Sequence, residues 1–486
     1  MSESGSRPGG AILFSAAEVA AAVGGRLVGE GGTLVKSVVV DSRKAEAGSL
    51  FVALPGERTD GHAFVGAALR LGAACVIARA DRSEEVLAAV RAAEAGASEA
   101  LGPALIFVPD ALAALQALAR AYRRRFPSLL RIGITGSSGK TTTKECAAAI
   151  LGRSRSVVLN PGNLNSDIGL PLSTFAIGEG HEVGVFEMGM NRAGEMGELA
   201  EVYEPDIALI TNVGTAHIGI LGSRDAIARE KKAIFSRFEG AQAGFVWEDD
   251  PYNAFLKEGV RGEILDFGPR STRELRVARN LGLSGYDLEW KGRPFRFPLP
   301  GPHNLLDAIA AAAAASRAGA SDEDLALGLA SVKPLFGRSE ILEGEYTIVR
   351  DCYNANPDSV EAAIALCDSL DWKARRAYVL GSMLELGEES EAAHRAMGET
   401  AGRSKADALF FFGAEAKPAF EAARLAGFRG LAVFETDFDR LLAALRAYLA
   451  PGDLALLKAS RGMALERLAD GLLGSASASI SESGKE

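Results

Sequence analysis

Cysteine is scarce in this chain: 486 residues carry four thiols, Cys75, Cys146, Cys352 and Cys367, and no two of them form a CxxC pair. Thiols so far apart read as buried side chains in a reducing compartment, not as a disulfide framework. An excess of positive charge is missing too. Against 63 acidic side chains there are 53 Lys and Arg, a net charge of −10 with no basic block, which argues against a general nucleic-acid surface. An anionic ligand would have to be met by local cations or metal, because the overall field repels it. No apolar run reaches membrane-spanning length without charge or glycine, and "MSESGSRPGG" at the start has no apolar core of signal-peptide length. The expected place is the cytoplasm, with no membrane insertion.

Apolar residues are plentiful at 48%, and the length implies roughly two to four domains. Short apolar strands alternate with helical segments almost throughout. "SVVVDSR", "SLFVAL", "ACVIA" and "ALIFVP" come first, with a helix-prone stretch around 83–100 among them. "RIGIT", "SVVLNPGN", "EVGVFEMG" and "DIALITNVG" follow, closed by the helix "NLLDAIAAAAAASRAG", for which Gly319 is the expected cap. "YTIVRDCYN", "RAYVLGSM", "ALFFFG" and "DLALLKASRG" make a third block. This alternation predicts an α/β fold on largely parallel sheets. Boundaries are expected near 110 and 332, giving domains 1–110, 111–331 and 332–486, with loose ends at 1–10 and after about 473.

The most informative stretch is "GITGSSGKTTTKE", between the strand-like "RIGIT" and a helix expected to start near Lys140 and to close at Gly152. Backbone N–H groups turned into one concavity bind a phosphate chain when no Cβ blocks its approach, and Gly136 and Gly139 supply that freedom around Ser137 and Ser138. The helix start adds its positive end. Lys140 then reaches the outer phosphates, and the hydroxyl of Thr141, beside Thr142, is placed for Mg²⁺. The full P-loop pattern has glycine where this chain has Ile134, so the match is to its G-x-x-G-K-T core. A bare strand-to-helix turn with an exposed lysine is the weaker reading, and ATP or GTP binding the stronger.

Glu187 ends the strand-like "EVGVFEMG". A carboxylate at the carboxyl end of a parallel strand, beside a nucleotide, is a fair Mg²⁺ ligand, although alone it would be merely solvated. His217, after "DIALITNVG", stands evenly between a structural and a ligand role. Lys231 and Lys232 in "REKKAIF" point about 100° apart on a helix, and from chemistry alone both are expected to be solvated.

Nine segments occur in an order that resembles the Mur ligases: "TGSSGKTTTK", "GNLNSDIGLP", "FEMGMNRAGEM", "TNVGTAHIG", "LPGPHNLLDAIAAAA", "FGRSE", "DCYNANPDS", "MLELGEESEAAH" and "KASRGM". The N-terminal "VVVDSRKAEAGSLFVALPGERTDGHAF" is similar to that family's UDP-binding domain, so the likeness runs from about residue 12 to 473. The implied architecture is an N-terminal α/β UDP-binding domain, a central P-loop ATPase-like parallel sheet and a C-terminal Rossmann-like domain. "GNLNSDIGLP" and "DCYNANP" point to the branch that adds a dipeptide, and the "DNPR" signature of the diaminopimelate-adding enzyme is missing. The implied activity is an ATP- and Mg²⁺-dependent amide bond between UDP-N-acetylmuramoyl-tripeptide and D-Ala-D-Ala, made by a monomer. Another ligase of the family, adding diaminopimelate or lysine, or one resembling folylpolyglutamate synthetase, is the nearest rival. A nucleotide-dependent switch that makes no bond is the rival from another class.

The resemblance also carries roles over. Lys140 and Thr141 become phosphate and first-Mg²⁺ residues, with Glu187 alongside; a second Mg²⁺ falls to His217 and to a carbamylated lysine, which the spacing to "AIF" puts at Lys231. Asn304, next to His303, matches the adenine side, while Arg338 and Asp351 reach the nucleotide from the C-terminal domain. Asn163, Asn165 and Asp167 face the muramoyl-peptide, and Ser42 and Arg43 face the UDP end. Asn354 and Asn356 belong to a closing motif, where plain turn chemistry is the alternative. Lys458, Ser460 and Arg461 keep the family's "KGSR" except that Ala459 replaces its glycine, which leaves their contacts open. Residues of different blocks, Lys140, Arg338 and Asp351, meeting at one ATP would mark a closed cleft.

Overall fold

The computed structural model describes residues 12–56, 59–95 and 102–473. Both expected loose ends, and the last part of the helix-prone stretch at 83–100, lie outside them. Packing divides the described chain into two compact units: residues up to 133 with 155–208 and 233–242, and residues 134–154 with 209–232 and 243 onward.

The first unit holds a five-stranded sheet in the order Arg26–Val28, Ala104–Val108, Ala73–Arg79, Ser49–Val52, Ser37–Val39. Its pairs are parallel except at the edge, where Arg26–Val28 runs against Ala104–Val108. Ser49–Val52 and Ala104–Val108 are buried at every position, the continuous apolar run of a strand covered on both faces. In the same unit Val183–Glu187, also wholly buried, pairs in parallel with Val157–Leu159.

In the second unit Ala243–Trp247 pairs in parallel with Glu263–Phe267. Leu130–Thr135 feeds the helix Lys140–Leu151, which starts where the sequence predicts; Gly152 follows it in right-handed helical conformation. The helix Pro302–Arg317 packs along Lys140–Leu151. Proline at its first position supplies a preset φ; Ala318 is the cap, and Gly319, expected in that place, turns left-handed (φ +85°) two residues past Arg317.

The C-terminal sheet lies in the second unit, in the order Glu340–Glu343, Thr347–Asp351, Leu454–Lys458, Arg376–Gly381, Ala408–Phe412, Leu431–Glu435. Only its first pair is antiparallel. The alternation did not foretell a small antiparallel sheet of Leu275–Asn280, Tyr286–Trp290 and Arg293–Phe297. Its outer strand is mostly exposed, so it carries little apolar signal. All four cysteines are buried and unbridged, and among the described residues no helix is long and apolar enough to cross a membrane.

Candidate functional site

The phosphate loop is built in the second unit. Gly139 caps the helix Lys140–Leu151 with a left-handed φ of +80°, and an added Cβ there would strike the Asp307 carboxylate. At Gly136 a Cβ would overlap Thr211 Oγ1. Both glycines are therefore required by what packs against them as well as by ligand access.

The end of the neighbouring strand holds the loop in shape. Ser137 N donates to Asn212 O (3.1 Å), Ser138 N to Asn212 Oδ1 (3.1 Å) and Gly214 N to Ser137 Oγ (2.8 Å). Thr211 Oγ1 and Asn212 Nδ2 both donate to Ser138 O. Thr211 and Asn212 were missed from sequence, although "TNVG" was in view. Lys140 Nζ donates to Gly136 O at 2.9 Å, folding the side chain over the loop, and Thr141 and Thr142 stand in the first helical turn behind it.

Lys231 overturns the expectation that both lysines are solvated. The helix Arg224–Lys232 buries Ile227, Ala228 and Lys231 on one face; i, i+3 and i+4 spacing puts this lysine in the apolar stripe, a signal present in the sequence. It is 1% exposed. Burial, then the nearby Lys140 charge, hold its ammonium well below the usual 10.5. Lys232 turns away, donating to Phe255 O and Glu258 O at 2.6 Å each.

His217 adopts a left-handed φ of +67°, and its Nδ1 is buried with no hydrogen-bond partner. Burial, then the charges of Lys140 and Lys231, push its imidazole down to about 3, so it is neutral at ordinary pH. Asp250 steadies the approach to it, accepting from Val213 N (2.7 Å) and Tyr252 N (2.8 Å). Lys140 and Lys231 both act on His217, and Lys140 on Lys231, so these three side chains lie near one another. Among the described residues no three His, Cys, Asp or Glu side chains group closely enough to hold a metal ion.

Asp307, 6% exposed, went unnoticed in the sequence. Burial holds its carboxyl well above the usual carboxylate range and outweighs the opposing pull of Arg338 and Lys140. A carboxyl whose pKa is raised on folding loses stability as pH rises beyond about 4 towards the folded value. Asp307→Asn is therefore expected to raise the thermal unfolding midpoint at pH 8, by about 2–4 °C for each kcal/mol gained, and the gain should vanish towards pH 4. Equal midpoints for both proteins at pH 8 would count against a protonated Asp307.

Asn304 is buried, its Nδ2 donating to Pro300 O (2.7 Å), and His303 Nε2 lies 3.1 Å from Ser339 Oγ. Arg338 stacks 4.2 Å from the centre of the Tyr353 ring. Asp351 accepts from Ser339 N (3.1 Å) and pairs with Lys458 (2.9 Å), which donates to Asn354 O (2.8 Å). Ser460 Oγ accepts from Leu384 N at 2.9 Å, and Arg461 pairs with Glu466 at 3.0 Å. Ala459 is fully buried, and Gly381 faces its Cβ with no Cβ of its own; the methyl group occupies the space left there. Asn356 caps the helix Pro357–Ser369 by accepting from Ser359 N, so turn chemistry accounts for its side chain.

In the first unit, Glu187 is buried and its Oε1 accepts from Asn165 Nδ2 at 2.7 Å. Asn160, another residue the sequence reading missed, clasps both ends of this loop: it donates to Leu164 O and Glu187 O and accepts from Glu187 N. Glu195 accepts from Asp167 N and from the N–H groups of Asn191 and Arg192, and Arg192 pairs with the Asp167 carboxylate at 3.2 Å. Asn163 is exposed, its carbonyl accepting from Asn165 N. Ser42 is buried, whereas Arg43 is largely exposed and forks onto Asp41 (2.8–3.2 Å).

Three family models match the chain: "Mur ligase family, catalytic domain" over residues 34–123, "Mur ligase middle domain" over 134–315 and "Mur ligase, glutamate ligase domain" over 337–461. The UDP-N-acetylmuramoyl-tripeptide–D-alanyl-D-alanine ligase of Treponema pallidum is 43% identical over 94% of this chain and 98% of its own length. The crystal structure of MurF from Acinetobacter baumannii aligns with a TM-score of 0.82 at 29% identity, covering 95% of this chain and 98% of that one. MurF ligase from Thermotoga maritima, solved in complex with ADP, aligns at 0.74 and 29% identity over 90% and 96% of the two chains.

Proposed function

Because the chain belongs to the Mur ligase family, we infer that it is an ATP-dependent ligase joining D-alanyl-D-alanine to UDP-N-acetylmuramoyl-tripeptide. The product is the UDP-muramoyl-pentapeptide from which peptidoglycan is made, and the reaction belongs in the cytoplasm. One observation carries the reading beyond family likeness: a clamped phosphate loop beside two buried basic groups, Lys231 and His217, whose protonation burial disfavours.

The chemistry follows from charge. The tripeptide carboxylate attacks the γ-phosphorus of ATP; the bond to the β-phosphate oxygen breaks, releasing ADP and leaving an acyl phosphate. The amine of D-Ala-D-Ala then adds to the acyl carbon, loses a proton and expels phosphate as the amide forms. Both partners of the first step are anions, so Lys140 at the loop lowers their repulsion and stabilises the charge on the phosphoryl group in flight. The first turn of the helix Lys140–Leu151 adds N–H groups aimed at the same charge. Asn304, Arg338 and Asp351 are proposed to hold the nucleotide, with the adenine towards Asn304. Lys458, Ser460, Arg461 and Asn354 are proposed to border the acceptor; Asn163, Asn165 and Asp167 the muramoyl-peptide; and Ser42 and Arg43 the UDP.

The residues fit Mg²⁺. A neutral imidazole with an orphaned nitrogen is the form that ligates a metal. The neutral amine is the form of a lysine that takes up CO₂, burial favours that form at Lys231, and as a carbamate it would supply an anionic oxygen in place of a repelling cation. Thr141, His217 and carbamylated Lys231 are the proposed ligands, with Glu187 carried over from the family likeness. Bound Mg²⁺ would neutralise phosphate charge.

The deciding experiment is phosphate release by the purified protein with ATP and each substrate singly and together. Release that needs both UDP-muramoyl-tripeptide and D-Ala-D-Ala is the expected result. Release with a free amino acid acceptor, or with none, would refute the reading.

A further inference from the structure

The segment 214–219 is gripped from two places in the portion matched by the glutamate ligase model. Asp358 Oδ2 accepts from both Thr215 N and Thr215 Oγ1, at 2.8 Å each. Asp358 is the second residue of the helix Pro357–Ser369, a position where an acidic side chain ordinarily serves its own helix end. Here Asn356 caps that end, and the Asp358 carboxylate reaches across 143 residues of sequence instead. Further along, Gly219 and Gly387 meet backbone to backbone: a Cβ on Gly387 would come within 2.9 Å of Gly219 Cα.

The gripped segment is mechanically tied to the phosphate loop. A Cβ on Gly214 would strike the Asp358 carboxylate and come within 3.2 Å of Ser137 Cβ, so Gly214 lies close against both the carboxylate and the loop. Gly214 N also donates to Ser137 Oγ, and two residues past Thr215 the chain presents His217. A shift at Asp358 would pass through packed atoms to both Ser137 and His217.

We propose that Asp358 is a positioning residue which, by gripping Thr215, sets the geometry of the phosphate loop and of His217 for phosphoryl transfer. The inference rests on the ligase reading above and adds to it a residue that positions the site from the C-terminal portion. Asp358 touches no substrate. It acts through Thr215.

The test compares wild type with Asp358→Ala, Asp358→Asn, Thr215→Ala and the Asp358→Ala/Thr215→Ala double variant, assayed for phosphate release with ATP and both peptide substrates. Equilibrium ATP binding without the peptides is measured alongside. Asp358→Ala should slow turnover at saturation about ten-fold, with ATP affinity within about two-fold because neither Asp358 nor Thr215 is proposed to touch the nucleotide. Asp358→Asn should recover to within about three-fold of wild type, since its amide oxygen can accept both bonds. The double variant should be no slower than Asp358→Ala alone, as expected for a shared interaction. Turnover unchanged in Asp358→Ala, ATP affinity falling in parallel with turnover, or additive losses in the double variant would each overturn the proposal. Thr215→Ala, which removes only the hydroxyl bond, decides the matter if Asp358→Ala does not fold. If Asp358→Ala slows turnover but wild type needs no dipeptide acceptor, the substrate reading fails while the latch stands. Wild type without any ATP turnover would overturn both.

Discussion

Replacing Lys140 by alanine is expected to lower peptide joining by about 10³-fold, close to 4 kcal/mol of transition-state stabilisation. The reasoning is electrostatic. The chain is acidic overall, at −10, so long-range charge does not help bring a triphosphate and a carboxylate together. Of the two lysines placed here, Lys231 is buried and its ammonium is held well below the usual 10.5, whereas Lys140 lies over the loop. Its Nζ already lies over the loop, 2.9 Å from Gly136 O, so little reorganisation is needed to meet a phosphate. Lys140→Arg should recover only part of the loss, because a planar fork does not replace a compact point charge in a tight loop. Acceptor-dependent phosphate release measures the effect, with thermal unfolding as the control for folding. An alanine variant retaining a tenth of wild-type turnover would rule out the role given to Lys140.

Lys231→Met is expected to separate stability from activity. The wild-type ammonium is held well below 10.5 by burial and then by Lys140. The unfolded chain therefore takes up a proton below about 10.5 that the unmodified fold refuses, and stability falls as pH drops from there towards the folded value. Methionine fills similar space and carries no such penalty. In bicarbonate-free, metal-free buffer at pH 7 the variant should unfold at a higher temperature than wild type, by about 2–4 °C per kcal/mol recovered, and the advantage should shrink as pH approaches 10. Activity should fall by about 10²–10³-fold, the scale of losing one charged group at a phosphoryl-transfer site. Intact mass under mild conditions should show one added CO₂ on wild type and none on the variant. A methionine variant that is both stable and active would leave Lys231 as an ordinary buried lysine.

Much of the site was legible because its signals are local. A strand, four loop residues and a helix start are contiguous, so "GITGSSGKTTTKE" announces a phosphate loop before any fold is known. The buried strands also showed themselves, being unbroken apolar runs. Lys231 was legible in principle, since the spacing from Ile227 and Ala228 places it on the buried face. Weighing only its charge led to the opposite expectation. Asn356 shows the converse: a residue in a family motif whose side chain is spent on capping a helix.

What the residues determined by themselves is chemistry that travels with a short segment: where strands and helices begin, which glycines clear a concavity, which lysine stands over it. Tertiary structure alone decided which distant groups meet there. Asp307 reaches Gly139, Thr211 and Asn212 clamp Ser138, and Asp358 grips Thr215, each across many tens of residues. Local sequence constrains φ, ψ and burial pattern within a few turns. The partners of a buried carboxyl, and hence its charge state, depend on how helices and sheets pack against each other.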